Sequence, residues 1–295
     1  MKIFFIGSVQ FSQKMLDVLI KIDRIQVIGI ATKKKSDFNS DHFDLSHTAI
    51  SNKIPFKYVE NINSQIIIEW ISELKPDIIY CFGWSSLIKN KLLELCPKGV
   101  IGYHPAELPK NRGRHPIIWA LTLGLKSTAS TFFKMDEGAD SGDIISQKKI
   151  VIKNHHYASD LYNLLEITAQ KQLREFTILY LNNKIKKIKQ DHNKSNYWRK
   201  RSKNDGIINF SSTALTIYNL VRALHHPYIG AHIMYLGDEI KVWKSELGPK
   251  TFKNIEPGKV IKIKDQKILV KTSDSSIWIT NHEFQNLPVI NTYLL

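Results

Sequence analysis

Through Gly124 the chain alternates short apolar runs with segments of helical periodicity, and no other feature constrains its fold as strongly. Residues 1–7, residues 25–31, "IPFKYVE", "PDIIYCFG" and "GVIGYHP" read as five strands. Between them lie a helix with Phe11, Met15, Val18 and Leu19 on one face, a short helix in "LSHTAISNK", and helical stretches over 66–74 and 87–95. A further helix begins at 117–123. Strands this apolar need cover on both faces, and the links between elements are short. The pattern therefore predicts a mostly parallel, Rossmann-like sheet with helices on both sides. After Ala129 it changes. "STFFKMDEGADSGDIISQKKIVI" reads as strand, loop and strand, and 160–181 as one long amphipathic helix. A polar run over 182–195, a helix over 213–224 and five short strands with frequent turns complete the chain. That ending predicts a small OB-like β-barrel. The expected organisation is an α/β catalytic domain over 1–190, a linker over 191–205 and a C-terminal barrel-like domain over 206–295.

Composition narrows the function classes. The 295 residues are 43% hydrophobic, ordinary for a globular chain. No apolar run is long enough to cross a bilayer, so no membrane partner is expected. The opening "MKIFFIGSVQF" lacks a small-residue cleavage site and reads as a buried strand. Cys81 and Cys96 sit in apolar runs without metal-ligand spacing, which points to reduced core thiols, a cytoplasmic setting and no metal. The net charge of +15 suits a nucleic acid, an anionic substrate or an acidic surface. Lys, Ile and Asn are abundant throughout, however, so much of that charge reads as solvated faces.

Several local patterns carry chemistry. "FIGS" after the first strand holds one glycine, Gly7, without the G-x-G-x-x-G spacing of a dinucleotide site. It reads as a tight turn, with Gly7 a candidate contact for an anionic ligand. His104 falls at the C-terminal end of the fifth strand, the sheet edge where ligands bind in open α/β folds. A histidine there can take a proton from a nucleophile. Three prolines follow it, Pro105, Pro109 and Pro116, and stiffen the loop. "DEGADSGDI" supplies three aspartates, Asp136, Asp140 and Asp143, any of which could turn inward to orient a histidine. Arg112 and Arg114 place cations beside His115, suited to an anionic substrate.

Taken together and in order, these segments resemble the folate-dependent formyltransferases. "HPAELPKNRGRHPIIWALTLG" is similar to that family's histidine loop, H-x-S-L-L-P-x-Y-R-G-x-x-P-x-x-W-A. "MDEGADSGDII" resembles its M-x-x-x-x-D-x-G-x-I segment. The stretch from "WRKRSKNDGIINF" to "GDEIKVW" resembles the C-terminal domain shared by methionyl-tRNA formyltransferase and the nucleotide-sugar formyltransferases. The resemblance implies that a primary amine is formylated by 10-formyltetrahydrofolate. His104 would be the base and Asp140 the aspartate that orients it. The family's usual Asn two residues before the histidine is here Gly102. Asn111, standing where the family often has Tyr, or a backbone N–H would then stabilise the oxyanion. The folate would lie against Phe82, Gly83, Trp84, Leu87 and Ile88 and the loop holding Asp136 and Gly138.

The segment after the second strand, "TKKKSDFNSDHFDLSH", is short and mixed in charge, unlike the longer basic loop of the tRNA enzymes. The expected acceptor is therefore an amino sugar, nucleotide-linked, contacted by Gly7, Arg112, Arg114, Arg201 and Arg222. Initiator tRNA is the alternative acceptor, and a non-catalytic folate- or sugar-binding role is the alternative function. The barrel-like tail would serve substrate binding or a homodimer contact.

Overall fold

The computed structural model describes residues 1–36, 41–251 and 254–294. Its strands are β1 (Lys2–Ile6), β2 (Gln26–Thr32), β3 (Phe56–Tyr58), β4 (Ile78–Cys81), β5 (Val100–His104), β6 (Arg112–Gly113), β7 (Ser127–Lys134) and β8 (Ile144–Val151). They continue with β9 (Tyr197–Trp198), β10 (Ala231–Tyr235), β11 (Asp238–Leu247), β12 (Val260–Lys264), β13 (Lys267–Lys271) and β14 (Ser276–His282). The helices are α1 (Gln10–Leu19), α2 (Ser46–Ser51), α3 (Gln65–Glu73), α4 (Asn90–Leu93), α5 (Pro116–Thr122), α6 (Ala158–Leu181) and α7 (Ala214–Ala223).

The chain forms two compact units. One comprises Met1–Pro116, Thr128–Ile150 and Asn163–Trp198; the other Ile117–Ser127, Val151–Tyr162 and Arg199–Leu295. Two segments of the expected first domain, Ile117–Ser127 and Val151–Tyr162, thus belong to the second unit. The expected linker over 191–205 carries structure of its own. It includes β9, which pairs in parallel with β6, and two short 3-10 turns, His192–Lys194 and Lys203–Gly206.

The first unit holds a seven-stranded sheet in the order β3-β2-β1-β4-β5-β7-β8. β1 pairs in parallel with β2 and β4, β2 with β3, and β4 with β5, whereas β7 runs antiparallel to β5. The apolar runs explain the centre of this sheet: Ile3 to Ile6 and Ile78 to Tyr80 are wholly buried. Because β1, β4 and β5 are parallel, Gly7, Phe82 and His104 emerge at one sheet edge. Ser12 closes that edge. Its Oγ donates to the Phe82 carbonyl at 2.6 Å and accepts from the Val9 N–H at 3.2 Å, which ties the start of α1 to the end of β4. The Phe82 ring packs against Phe5, Tyr80 and Phe132. Cys81 and Cys96 are buried, and burial pushes both thiols up to about 12, so neither is a thiolate at neutral pH.

The second unit contains a five-stranded antiparallel sheet in the order β10-β11-β14-β13-β12, with α7 packed on β11 and β14. Three histidines of this unit, His156, His225 and His232, are held below the ordinary histidine value, in each case chiefly by burial. The unfolded chain therefore binds protons at a higher pH than the folded one. Stability is fully present above about pH 6.5 and is lost as pH falls through the lowered folded values. Thermal melts at pH 7.5 and 5.5 should show a lower midpoint at 5.5, by about 2–4 °C for each kcal/mol lost. His232→Phe should flatten the slope; melts equally steep in that variant would refute this source of acid sensitivity.

Candidate active site

The proline-rich loop after β5 is fastened by side chains that cap its carbonyls. Thr128 Oγ1 donates to Pro105 O at 3.0 Å and Thr131 Oγ1 to Ala106 O at 2.6 Å. Gln147 Nε2 donates to Leu108 O at 3.0 Å. The loop then runs alongside 196–198. The Asn111 N–H donates to Asn196 Oδ1 at 2.8 Å, Arg112 N–H to Asn196 O at 3.0 Å and Arg114 N–H to Trp198 O at 3.1 Å. The rigidity expected from the prolines is thus reinforced from two sides.

What these attachments hold is His104, only 5% exposed. Its Nε2 lies 2.7 Å from the Asn111 carbonyl and its Nδ1 3.5 Å from Asp140 Oδ2. A carbonyl can only accept, so the neutral ring carries its proton on Nε2. Nδ1 is then the basic atom, turned towards the carboxylate. Once protonated there, the imidazolium has an acceptor at each nitrogen. Asp140 Oδ2 also accepts the Gly113 N–H at 2.9 Å, so histidine, carboxylate and loop form one connected group. Of the three candidate aspartates, Asp140 stands beside His104. Asp136 instead caps its own turn through the Gly138 N–H and Ser141 Oγ, and the Asp143 carbonyl accepts from the Lys134 N–H.

The remaining candidates are placed as follows. Asn111 takes the left-handed conformation, φ +63°, and its carboxamide makes no hydrogen bond among the described residues. Gly102 lies under Met135, whose Cγ would sit 2.9 Å from a Cβ at that position. A side chain at 102 and Met135 compete for one space. Gly7 is packed by Ser12 and the Phe82 carbonyl, 2.5 and 2.7 Å from where its Cβ would be. Near the end of β4, Gly83 is left-handed and Trp84 buries its Nε1 without an acceptor among the described residues. Lys33 lies 5.1 Å over the Trp84 ring. Leu87 and Ile88 line a cavity of about 590 Å³ with Asn63, Ile68, Lys89, Asn90, Lys91 and Glu137. Glu137 thus brings the loop of Asp136 and Gly138 to the same cavity.

The arginines divide. Arg114 is exposed. Arg112 is almost wholly buried, 1% exposed, and donates to Gln190 Oε1 and Tyr197 Oη. In the second unit, Arg201 lies over the Trp119 ring and donates to the Asp205 carbonyl. Arg222, also buried, donates to Asn219 Oδ1 and to the His156 and Leu121 carbonyls, and borders a second cavity of about 360 Å³. Sequence reasoning passed over Gln190, Asn196 and Met135. All three bear on the His104 loop or its neighbouring strand. Among the described residues no three His, Cys, Asp or Glu side chains are placed to hold a metal ion. Nor is any described helix long and apolar enough to cross a membrane.

An imidazole and a carboxylate are thus held side by side at the edge of an open α/β sheet, where ligands bind in such folds. Residues 1–177 match the formyl transferase family and residues 200–292 its C-terminal domain, and the chain belongs to that family. It is 30% identical over 288 residues to methionyl-tRNA formyltransferase of Alkaliphilus oremlandii, covering 96% of this chain and 92% of that protein. It is likewise 30% identical over 281 residues to the bifunctional polymyxin resistance protein ArnA of Wigglesworthia glossinidia brevipalpis, covering 94% of this chain but 40% of that protein. Among solved structures it resembles WlaRD, a sugar 3N-formyl transferase determined with dTDP and 5-N-formyl-THF. The TM-score is 0.68 at 20% identity, covering 97% of this chain and 99% of that one. The protein is thus a formyl group transferase with the fold of its family.

Proposed function

We propose that the protein moves the formyl group of 10-formyltetrahydrofolate to the primary amine of a nucleotide-linked amino sugar. The observation that carries the chemistry is the His104–Asp140 pair at the sheet edge. The donor supplies an activated formyl carbon on nitrogen. As the new C–N bond forms, the amine sheds a proton, which His104 takes at Nδ1. The donor nitrogen leaves with a proton in return. Asp140 and the Asn111 carbonyl then hold the two N–H groups of the charged ring. The Asn111 carboxamide, which has no hydrogen bond among the described residues, serves the developing charge on the formyl oxygen, the work of a donor worth about 100- to 1000-fold in rate.

The folate would lie in the cavity beside Ile88. Its apolar wall of Ile68, Leu87 and Ile88 suits a ring system, and Lys89 and Lys91 suit a carboxylate tail. The sugar reading is supported by the end-to-end likeness to the sugar N-formyl transferase. It is supported too by the segment after β2. There the Gln10 N–H donates to Asp41 O and the Phe43 N–H to Ser8 O, so the segment closes back on the β1–α1 turn. Residues 37–40 of that segment lie outside the described residues.

A second reading, formylation of methionyl-tRNA, is favoured by the 30% identity to a tRNA enzyme over nearly its whole length. Single-turnover assays with 10-formyltetrahydrofolate and either dTDP-linked amino sugars or methionyl-tRNA separate the two. The sugar reading expects rapid formylation of an amino sugar. Faster transfer to tRNA, with affinity falling steeply as salt rises, would replace it.

A further inference from the structure

Gln190 stands in the lysine-rich run "NNKIKKIKQDHNK" that reads as a connection, yet it is only 6% exposed. Its amide is used at both ends. Nε2 donates to the Asp140 carbonyl at 2.9 Å and to the Gly142 carbonyl at 2.6 Å. Oε1 accepts from Arg112 Nε at 3.2 Å and Nη2 at 2.8 Å. Two donors and two lone pairs are thus all engaged.

The position of those partners gives the arrangement its meaning. Asp140 is left-handed, φ +56°, a conformation uncommon for a non-glycine residue, and its setting is held by its neighbours. Gln190 grips the main chain of Asp140 and of Gly142, on either side of Ser141. Through Arg112 it also holds the segment whose next residue, Gly113, donates to Asp140 Oδ2. Both sides of the carboxylate's setting therefore end on one amide. Arg112 is buried without a carboxylate in ion-pair range among the described residues. A neutral acceptor keeps a second negative charge away from Asp140. A glutamate at 190 would attract Arg112 but would lose both donors and face two carbonyls with a carboxylate.

We propose that Gln190 is a positioning residue for formyl transfer, holding Asp140 in register with His104 and using buried Arg112 as its anchor. The proposal rests on the reading of His104 and Asp140 as the catalytic pair. It also moves Arg112 from substrate contact, as the sequence suggests, to the same clamp.

The test uses Gln190→Ala and the near-isosteric Gln190→Glu in the full chain. They are assayed with whichever amine, dTDP-linked amino sugar or methionyl-tRNA, the wild type formylates. A displaced carboxylate should lower kcat by about 10- to 100-fold while KM for 10-formyltetrahydrofolate stays within about twofold. In an Asp140→Asn background the same substitutions should have little further effect, since the residue acts through Asp140. Wild-type kcat in folded Gln190→Glu, or losses that simply multiply with that of Asp140→Asn, would overturn the proposal. Full turnover in His104→Ala would instead overturn the reading of the pair itself, so the two failures are distinguishable.

Discussion

His104→Ala is expected to lower the rate of formyl transfer by about 100- to 10,000-fold, the contribution of a well-placed proton acceptor. The argument is geometric. Nε2 is committed to the Asn111 carbonyl at 2.7 Å, so the proton shed by the amine has Nδ1 to go to, and Asp140 receives the charge that results. Donor binding should survive, because none of the residues lining the cavity at Leu87 and Ile88 is touched. Alanine also leaves the Asn111 carbonyl without its donor, at about 1–3 kcal/mol. His104→Gln separates the two effects. Its amide can still donate to that carbonyl but cannot take a proton, so it should melt near the wild type and remain inactive. Single-turnover formylation alongside thermal melts measures both. Unchanged turnover in either variant would remove His104 from the chemistry.

Much of the site's framework is legible in the sequence because it rests on runs of like residues. The wholly apolar stretches at Ile3–Ile6 and Ile78–Tyr80 could only be buried strands, and their parallel pairing brings the end of β1, the end of β4 and His104 to one edge. Other features depend on partners distant in the chain and leave no local trace. Nothing in "RGR" shows that Arg112 turns inward, because its acceptors come from Gln190 and Tyr197, some eighty positions on. Gln190 itself is a polar residue among lysines, and its buried partners, Arg112 and the Asp140 and Gly142 carbonyls, lie some fifty to eighty positions back, with the bridge of Ile188 to Ile144 beside it. Arg222 likewise resembles a free cation in "VRALHH", whereas its guanidinium is engaged by two main-chain carbonyls. Gly102 is the reverse case. The sequence marks it as a departure from the family pattern, and the structure shows Met135 and Phe133 occupying the space a side chain there would need.

Gly113→Ala should be among the most damaging single-methyl changes in the chain. Gly113 has φ +104°, outside the regions open to L side chains, and an added Cβ would lie 2.3 Å from the Trp198 carbonyl oxygen. Relief requires β6 to part from β9. That breaks the Arg112 and Arg114 main-chain hydrogen bonds to 196 and 198 and withdraws the Gly113 N–H from Asp140. Backbone strain of about 1–3 kcal/mol and two or three hydrogen bonds of about 1 kcal/mol each put the loss at roughly 3 kcal/mol or more. Activity should fall with it, because the carboxylate loses one of its two fixed neighbours. Gly237→Ala is the control. Its φ of +92° is equally unfavourable, but nothing lies within 4 Å of an added Cβ. It should cost about 1–2 kcal/mol from the backbone alone and leave formyl transfer unchanged. Denaturant titration and turnover of the two variants make the comparison. Equal losses of stability in both would mean that close packing of β6 on β9 adds nothing to the strain. An active Gly113→Ala would mean that the loop does not need its hold on Asp140.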